Sequence, residues 1–157
     1  MRKLVVVPDA RLRRESEPVK KIDKKIKELA GEMVKFLGKT DASGITSVGL
    51  SAVQLGEPVR MFAFKGNPGS AIPGDIIVVI NPEIVYGKGR HLVREACLSL
   101  PGREFIVQRA KTVKVRGQTL VGDLRTFRGR DLLAQVFAHE VDHLNGVLID
   151  TLGEKVK

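Results

Sequence analysis

The sequence predicts an α+β fold: largely antiparallel β-sheets packed around a C-terminal helix that carries a His-Glu-x-x-His motif, with an amphipathic helix near the N-terminus. Three observations predict it. Apolar residues recur at spacings of three and four over 19–37 and again over 130–145. Between these stretches lie short β-branched and aromatic runs bounded by Gly and Pro. Strands and helices do not alternate in the way that builds a parallel sheet. The chain has 157 residues, 43% of them hydrophobic, enough for one core and a single domain over 1–157.

The first helix, 19–37, places Val19, Ile22, Ile26, Leu29, Met33 and Leu37 on one face, with Pro18 suited to a first turn and Gly38 to the position past the last. Its other face carries Lys20, Lys21, Lys24, Lys25, Lys27 and Lys35. Such a run is either a solvated face or a contact for RNA or the ribosome. Strands follow at 59–64 and 75–80, separated by a Gly/Pro turn region at 65–74. Further strands are expected at 105–107, 112–115 and 119–121, the last two meeting across a turn at Gly117. The second helix, 130–145, buries Leu132, Leu133, Val136, Phe137, Val141 and Leu144 and stops at Gly146.

Composition narrows the function. No apolar run reaches the roughly 20 residues of a membrane span, and the N-terminal apolar run is too short for a signal peptide. A cytoplasmic protein with no membrane association is expected. Lys and Arg number 27 against 18 acids, a net charge of +9, which favours an anionic partner; specific DNA is not expected. The lone cysteine, Cys97, is either a buried small hydrophobe or a working thiol.

The sharpest chemical signal is His139-Glu140-Val141-Asp142-His143. Residues four apart on a helix stand one turn apart on one side, so His139 and His143 can hold one ion. Glu140, at a neighbouring angle, can reach water activated by that ion as a general base. A catalytic site of this type wants three protein ligands. A third His six residues after His143 is absent, since position 149 is Ile149, and Glu154 sits in a lysine-rich tail. The third ligand therefore lies upstream, where Cys97 is the only soft donor and His91, in a polar stretch, the competitor.

Three ordered motifs resemble those of peptide deformylases, which remove the formyl group from the N-terminal methionine of nascent proteins. They are Gly49-Leu50-Ser51-Ala52-Val53-Gln54, Glu95-Ala96-Cys97-Leu98-Ser99-Leu100-Pro101 and His139 to Gly146. The opening Pro8-Asp9-Ala10-Arg11-Leu12-Arg13 and Pro18-Val19 is similar too, so the likeness covers nearly the whole chain. The resemblance implies that Cys97, His139 and His143 bind one divalent ion, Fe2+ in first place, with Zn2+, Ni2+ or Co2+ as alternatives. It implies that Glu140 moves the proton and that the Gln54 side chain and Leu98 backbone N–H stabilise the oxyanion. Backbone at Val48 and Gly49 would pair with the peptide substrate. Val136 and Phe137 would wall the methionine pocket or belong to the core. Glu95 and Ser99 would orient the Cys97 loop, and Asp142 would be a salt-bridged helix residue.

Some positions depart from the family pattern. Ser47, Ser51, Ala96 and Ala138 stand where Gly, Ala, Gly and Gln are usual, and Glu104 replaces an Arg common in bacterial members. None removes a ligand, the base or Gln54. Ala96 would be strained if its position demanded a positive φ. The expected activity is release of formate from N-formylmethionyl peptides. A metal-dependent deacylase or amidase of other small N-acyl groups is the alternative, and a non-catalytic basic protein binding RNA or the ribosome is the third.

Overall fold

Asp23 opens the first long helix, α1 (Lys24–Leu37): its side chain accepts the Ile26 N–H at 3.0 Å. The helix thus begins later than the apolar spacing predicts. Val19 is engaged elsewhere, its N–H donating to Asn81 Oδ1 at 2.8 Å while Asn81 Nδ2 donates back to the Val19 carbonyl at 2.9 Å. The computed structural model describes residues 2–39, 47–66 and 76–157. Within α1, Ile26, Leu29, Ala30, Met33 and Leu37 are buried.

Among the described residues eight strands follow in chain order: β1 (Gly49–Ser51), β2 (Met61–Lys65), β3 (Ile76–Lys88), β4 (His91–Ala96), β5 (Glu104–Arg109), β6 (Thr112–Gln118), β7 (Leu124–Arg130) and β8 (Glu154–Lys155). They make two antiparallel sheets, one in the order β1-β2-β3-β6-β7 and one in the order β4-β5-β8. The second helix, α2, spans Leu132–Leu144.

Several sequence expectations are corrected here. β3 does not stop at Ile80; it runs through Asn81-Pro82 by shifting register against β6, with Asn81 at φ 51°. β1, β4, β7 and β8 lie outside the strands the sequence predicts. Residues 119–121 form no strand: Thr119 N–H donates to the Asp123 carbonyl at 2.9 Å, and Gly122 at φ 90° supplies the left-handed step of the β6–β7 turn. Gly117 accordingly lies within β6, opposite Arg125. The turn expected at 65–74 and the strand start at 75 fall outside the described residues from 67 onward.

The two helices pack on opposite faces of the five-stranded sheet. On one face Ala134, Val136, Phe137, Val141 and Leu144 of α2 meet Phe62, Phe64, Val79, Val113 and Val115. Phe64 and Phe137 stack edge to face with centroids 4.9 Å apart. On the other face α1 packs against Met61, Ala63, Val78 and Ile80, over β2 and the first part of β3. A third cluster, including Val5, Leu12, Cys97, Leu100, Phe105 and Leu148, ties the three-stranded sheet to the chain's two ends. Among the described residues no helix is long and apolar enough to cross a membrane.

Candidate active site

One side of α2 forms a stripe toward the cavity. Leu132, Gln135, Val136, His139, Glu140 and His143 recur at helical spacing, so the apolar first turn leads directly into the His-Glu-x-x-His residues. His139 Nε2 and His143 Nε2 are 3.2 Å apart, and Cys97 Sγ is 3.3 Å from His143 Nε2. All three donor atoms lie within 4.8 Å of one another. Cys97 directly follows β4 and is held by a turn in which Leu100 N–H donates to its carbonyl at 2.9 Å.

The donor set suits a first-row divalent ion. Bonds of about 2.0–2.3 Å at tetrahedral angles would separate such donors by about 3.3–3.6 Å, the scale of the two separations above. One thiolate and two imidazoles, backed by a carboxylate, is also the chemistry such an ion prefers. His91, the competing ligand, starts β4 opposite Arg109 and is not part of the donor cluster.

Glu95 fixes the first histidine. Its Oε1 lies 2.8 Å from His139 Nδ1, so that nitrogen carries the proton and Nε2 presents its lone pair to the cluster. Arg109 clamps the same carboxylate twice, Nε to Oε2 at 2.7 Å and Nη2 to Oε1 at 2.9 Å, and reaches Asp142 Oδ2 with Nη1 at 2.6 Å. The Glu95 and Arg109 side chains are only 2% and 6% exposed. Burial pushes the Glu95 carboxyl up, but hydrogen bonds from Arg109 and His139 outweigh it and hold the group at about 2. At His143 burial dominates, aided by its neighbour His139, and favours the neutral ring. Glu95, two residues before Cys97, therefore orients His139 as well as being pinned by Arg109. The loop is also held by Ser99, whose Oγ donates to the Val5 carbonyl at 2.7 Å.

Glu140 is 4% exposed. Burial raises its carboxyl above the ordinary value, against the opposing pull of His139 and Ser51. Ser51 Oγ stands 2.8 Å from Glu140 Oε2 and 2.9 Å from the Glu140 carbonyl, so its single proton is shared between two acceptors on Glu140. Strand β1 comes this close to α2 because of Gly49. A Cβ there would lie 2.9 Å from Val136 Cγ1 and 3.1 Å from Glu140 Cγ and Oε1.

Gln54 is fixed by both ends of its amide. Oε1 accepts the Ser51 N–H at 3.0 Å, which turns Nε2 toward Ser99 Oγ at 3.2 Å and Cys97 Sγ at 3.9 Å. Gln54, Leu98, Cys97, His139 and Glu140 line one cavity of about 460 Å³, with Val48, Gly49 and Val136 along its side. Phe137 is corrected: it is fully buried against Phe62 and Phe64 and does not line the cavity. Leu132, Gln135 and Arg94 line it unanticipated. The helical stripe signalled Leu132 and Gln135, since they precede His139 by seven and four positions.

The departures from the family pattern now have places. Ala96 ends β4 without strain: among the described residues only Asn81 and Asp131 combine a side chain with a positive φ. Glu104 forms an ion pair with Arg94 at the cavity rim. Ser51 touches Glu140, as above.

Comparison with known proteins agrees with this geometry. Residues 1–156 match the family model for polypeptide deformylase. The peptide deformylase of Dictyoglomus thermophilum is 40% identical over 151 residues, which cover 95% of this chain and 90% of that protein. The crystal structure of the Thermotoga maritima peptide deformylase superposes with a TM-score of 0.85 at 33% identity, covering 98% of each chain. That of Legionella pneumophila gives 0.84 at 35% identity over 97% of this chain and 85% of the other. With the matched residues spanning all three motifs and the fold shared end to end, the chain belongs to the polypeptide deformylase family.

Proposed function

We propose that this chain, acting as one catalytic domain over 1–157, hydrolyses the N-formyl group from N-formylmethionyl nascent peptides in the cytoplasm. One divalent ion would be held by Cys97 Sγ, His139 Nε2 and His143 Nε2. The observation that carries the reading is the convergence of those three atoms within 4.8 Å, in a cavity shared with buried Glu140 and Gln54. A bound cation supplies Lewis acidity, which brings the pKa of water toward about 7. Fe2+ is the favoured occupant, and Zn2+, Ni2+ and Co2+ suit the same donors.

The protein's own groups do the rest. Glu140 takes a proton from water as the oxygen attacks the formyl carbon. The oxyanion that forms accepts hydrogen bonds from Gln54 Nε2 and the Leu98 N–H. Glu140 then gives the proton to the amine nitrogen as the C–N bond breaks, leaving formate and a free N-terminus. Strand β1 is an edge of its sheet, which supports backbone pairing of Gly49 and the adjoining Val48 with an extended peptide. Leu132, Leu98 and Val136 offer the apolar wall for methionine.

The test is formate release from a formyl-methionyl tripeptide by protein purified without oxygen, with the acetyl-methionyl peptide as control. Release from the formyl peptide alone is expected, abolished by a chelator and restored by Fe2+. Equal rates on both peptides would replace the reading with a general deacylase, and no release from folded, metal-loaded protein would overturn it.

Ser51 gives a finer expectation. Its hydroxyl favours the charged form of Glu140, so Ser51→Ala should raise that carboxyl's pKa. A charge-assisted hydrogen bond of about 1.5 kcal/mol corresponds to about one pH unit. The active base is the carboxylate, so the acid limb of kcat/KM should move to higher pH by up to about that amount. An unmoved limb would show that the contact does not tune the base.

A further inference from the structure

The outer face of the five-stranded sheet is divided. α1 covers its first part, over Met61, Ala63, Val78 and Ile80. The strand register carries the same face onward across β3, β6 and β7 in rows: Lys88, Thr112 and Arg130; Tyr86, Lys114 and Arg128; Glu83, Arg116 and Thr126. The inward neighbours Val113 and Val115 belong to the α2 core, which confirms that these rows point away from the catalytic helix. Lys88, Arg116, Arg128 and Arg130 are exposed.

Charge on this face is unbalanced. Lys114 and Arg128 sit directly opposite each other, an arrangement that destabilises a strand pair. Lys114 lies over the Tyr86 ring at 4.9 Å. Among the described residues the only acid in the rows is Glu83, 3.9 Å from Arg116. An array of cations at regular strand spacing, with a single aromatic ring, matches a repeating phosphate backbone better than unstacked bases, which need several aromatic platforms.

We propose that the outer face of β3, β6 and β7 docks the protein on the phosphate backbone of structured RNA. The choice of RNA among polyanions rests on the deformylase reading, because the N-terminus of a nascent peptide is found beside the RNA machinery that makes it. The face lies across the sheet from α2, so docking leaves the cavity open to that peptide. α1 packs on the same side of the sheet, so its lysine-rich solvent face would flank the bound RNA, not oppose it.

The probe is a fluorescein-labelled 20-base-pair RNA duplex of arbitrary sequence, titrated by anisotropy between about 50 and 200 mM salt. The variant K114Q/R128Q/R130Q is expected to bind about tenfold more weakly or worse, with a slope of log K against log salt shallower by about 2–3. Its melting temperature should equal or exceed the parent's, because like charges are removed. A second variant, K20Q/K21Q/K24Q/K25Q on and before α1, should keep most of the affinity. Unchanged RNA binding by the sheet variant, or loss confined to the α1 variant, would overturn the assignment. So would binding to phosphatidylserine vesicles without binding to RNA, which would make the face a lipid contact. Formate release from the free tripeptide should be the same in the parent and both variants. Its absence from all three would defeat the deformylase reading while the RNA result stood by itself.

Discussion

Glu140→Gln is expected to lower kcat for the formyl-methionyl tripeptide by about 10²–10⁴-fold, while the protein still takes up one equivalent of metal. Glutamine keeps the size of the side chain and can accept the Ser51 hydroxyl through its amide oxygen, so the packing against Gly49 survives. What it loses is the ability to take a proton. The ligands are untouched because Cys97, His139 and His143 are fixed by other partners: the turn to Leu100, the Glu95 carboxylate, and the helix itself. Metal content and turnover are the two readouts. Loss of both would mean Glu140 supports the ligands, and retention of both would remove it from the chemistry.

The second large effect is on stability. Arg109→Met should destabilise the fold by about 3–5 kcal/mol, the usual result of removing one partner of a buried ion pair. That is a large share of the total stability of a domain, about 5–15 kcal/mol. The variant leaves Glu95, with its side chain 2% exposed, facing only His139. Denaturant unfolding measures the loss. A double replacement, Glu95→Met with Arg109→Met, should recover part of it, because the most deeply buried unpaired charge is removed and only the part-exposed Asp142 is left without its partner. The pair also sets a pH dependence. The Glu95 carboxyl lies at about 2 in the folded protein, below its ordinary value. Its contribution is therefore complete at neutral pH and is lost as pH falls from the ordinary carboxylate range toward about 2. Arg109→Met should flatten that part of the stability profile.

α2 and its two histidines were legible because helical spacing, a two-histidine motif and a stop glycine all agree over one segment. α1 was visible for the same reason, but its start was misplaced, since Val19 and Ile22 continue the spacing while Asp23 decides the cap. The strands were harder. β7 has one partly buried aromatic, Phe127, among exposed arginines, with Gly129 as the buried position near α2, so no alternating apolar pattern marks it. β3 was cut short because Asn81-Pro82 has the composition of a turn, whereas here it is absorbed as an irregularity that also anchors Val19. Arg109 was missed since arginine in a strand is ordinarily exposed. Its signal was position: with Phe105 and Val107 it occupies the inward side of β5. Phe137 was ambiguous because the buried and cavity-facing stripes of α2 adjoin at Val136, and only tertiary packing separates them.

The three candidate metal-binding residues come from two halves of the molecule. Cys97 directly follows the first strand of the three-stranded sheet, whereas His139 and His143 ride on the helix seated against the five-stranded one. An ion held by all three is thus a cross-link between sheets as well as a reagent. Binding only the folded state, it would add about 4 kcal/mol of stability at a free concentration a thousand times its dissociation constant. That increment falls on the seam between the sheets, where Glu95 and Arg109 also reach across to α2. Metal supply would then govern how long the protein survives proteolysis as well as how fast it turns over.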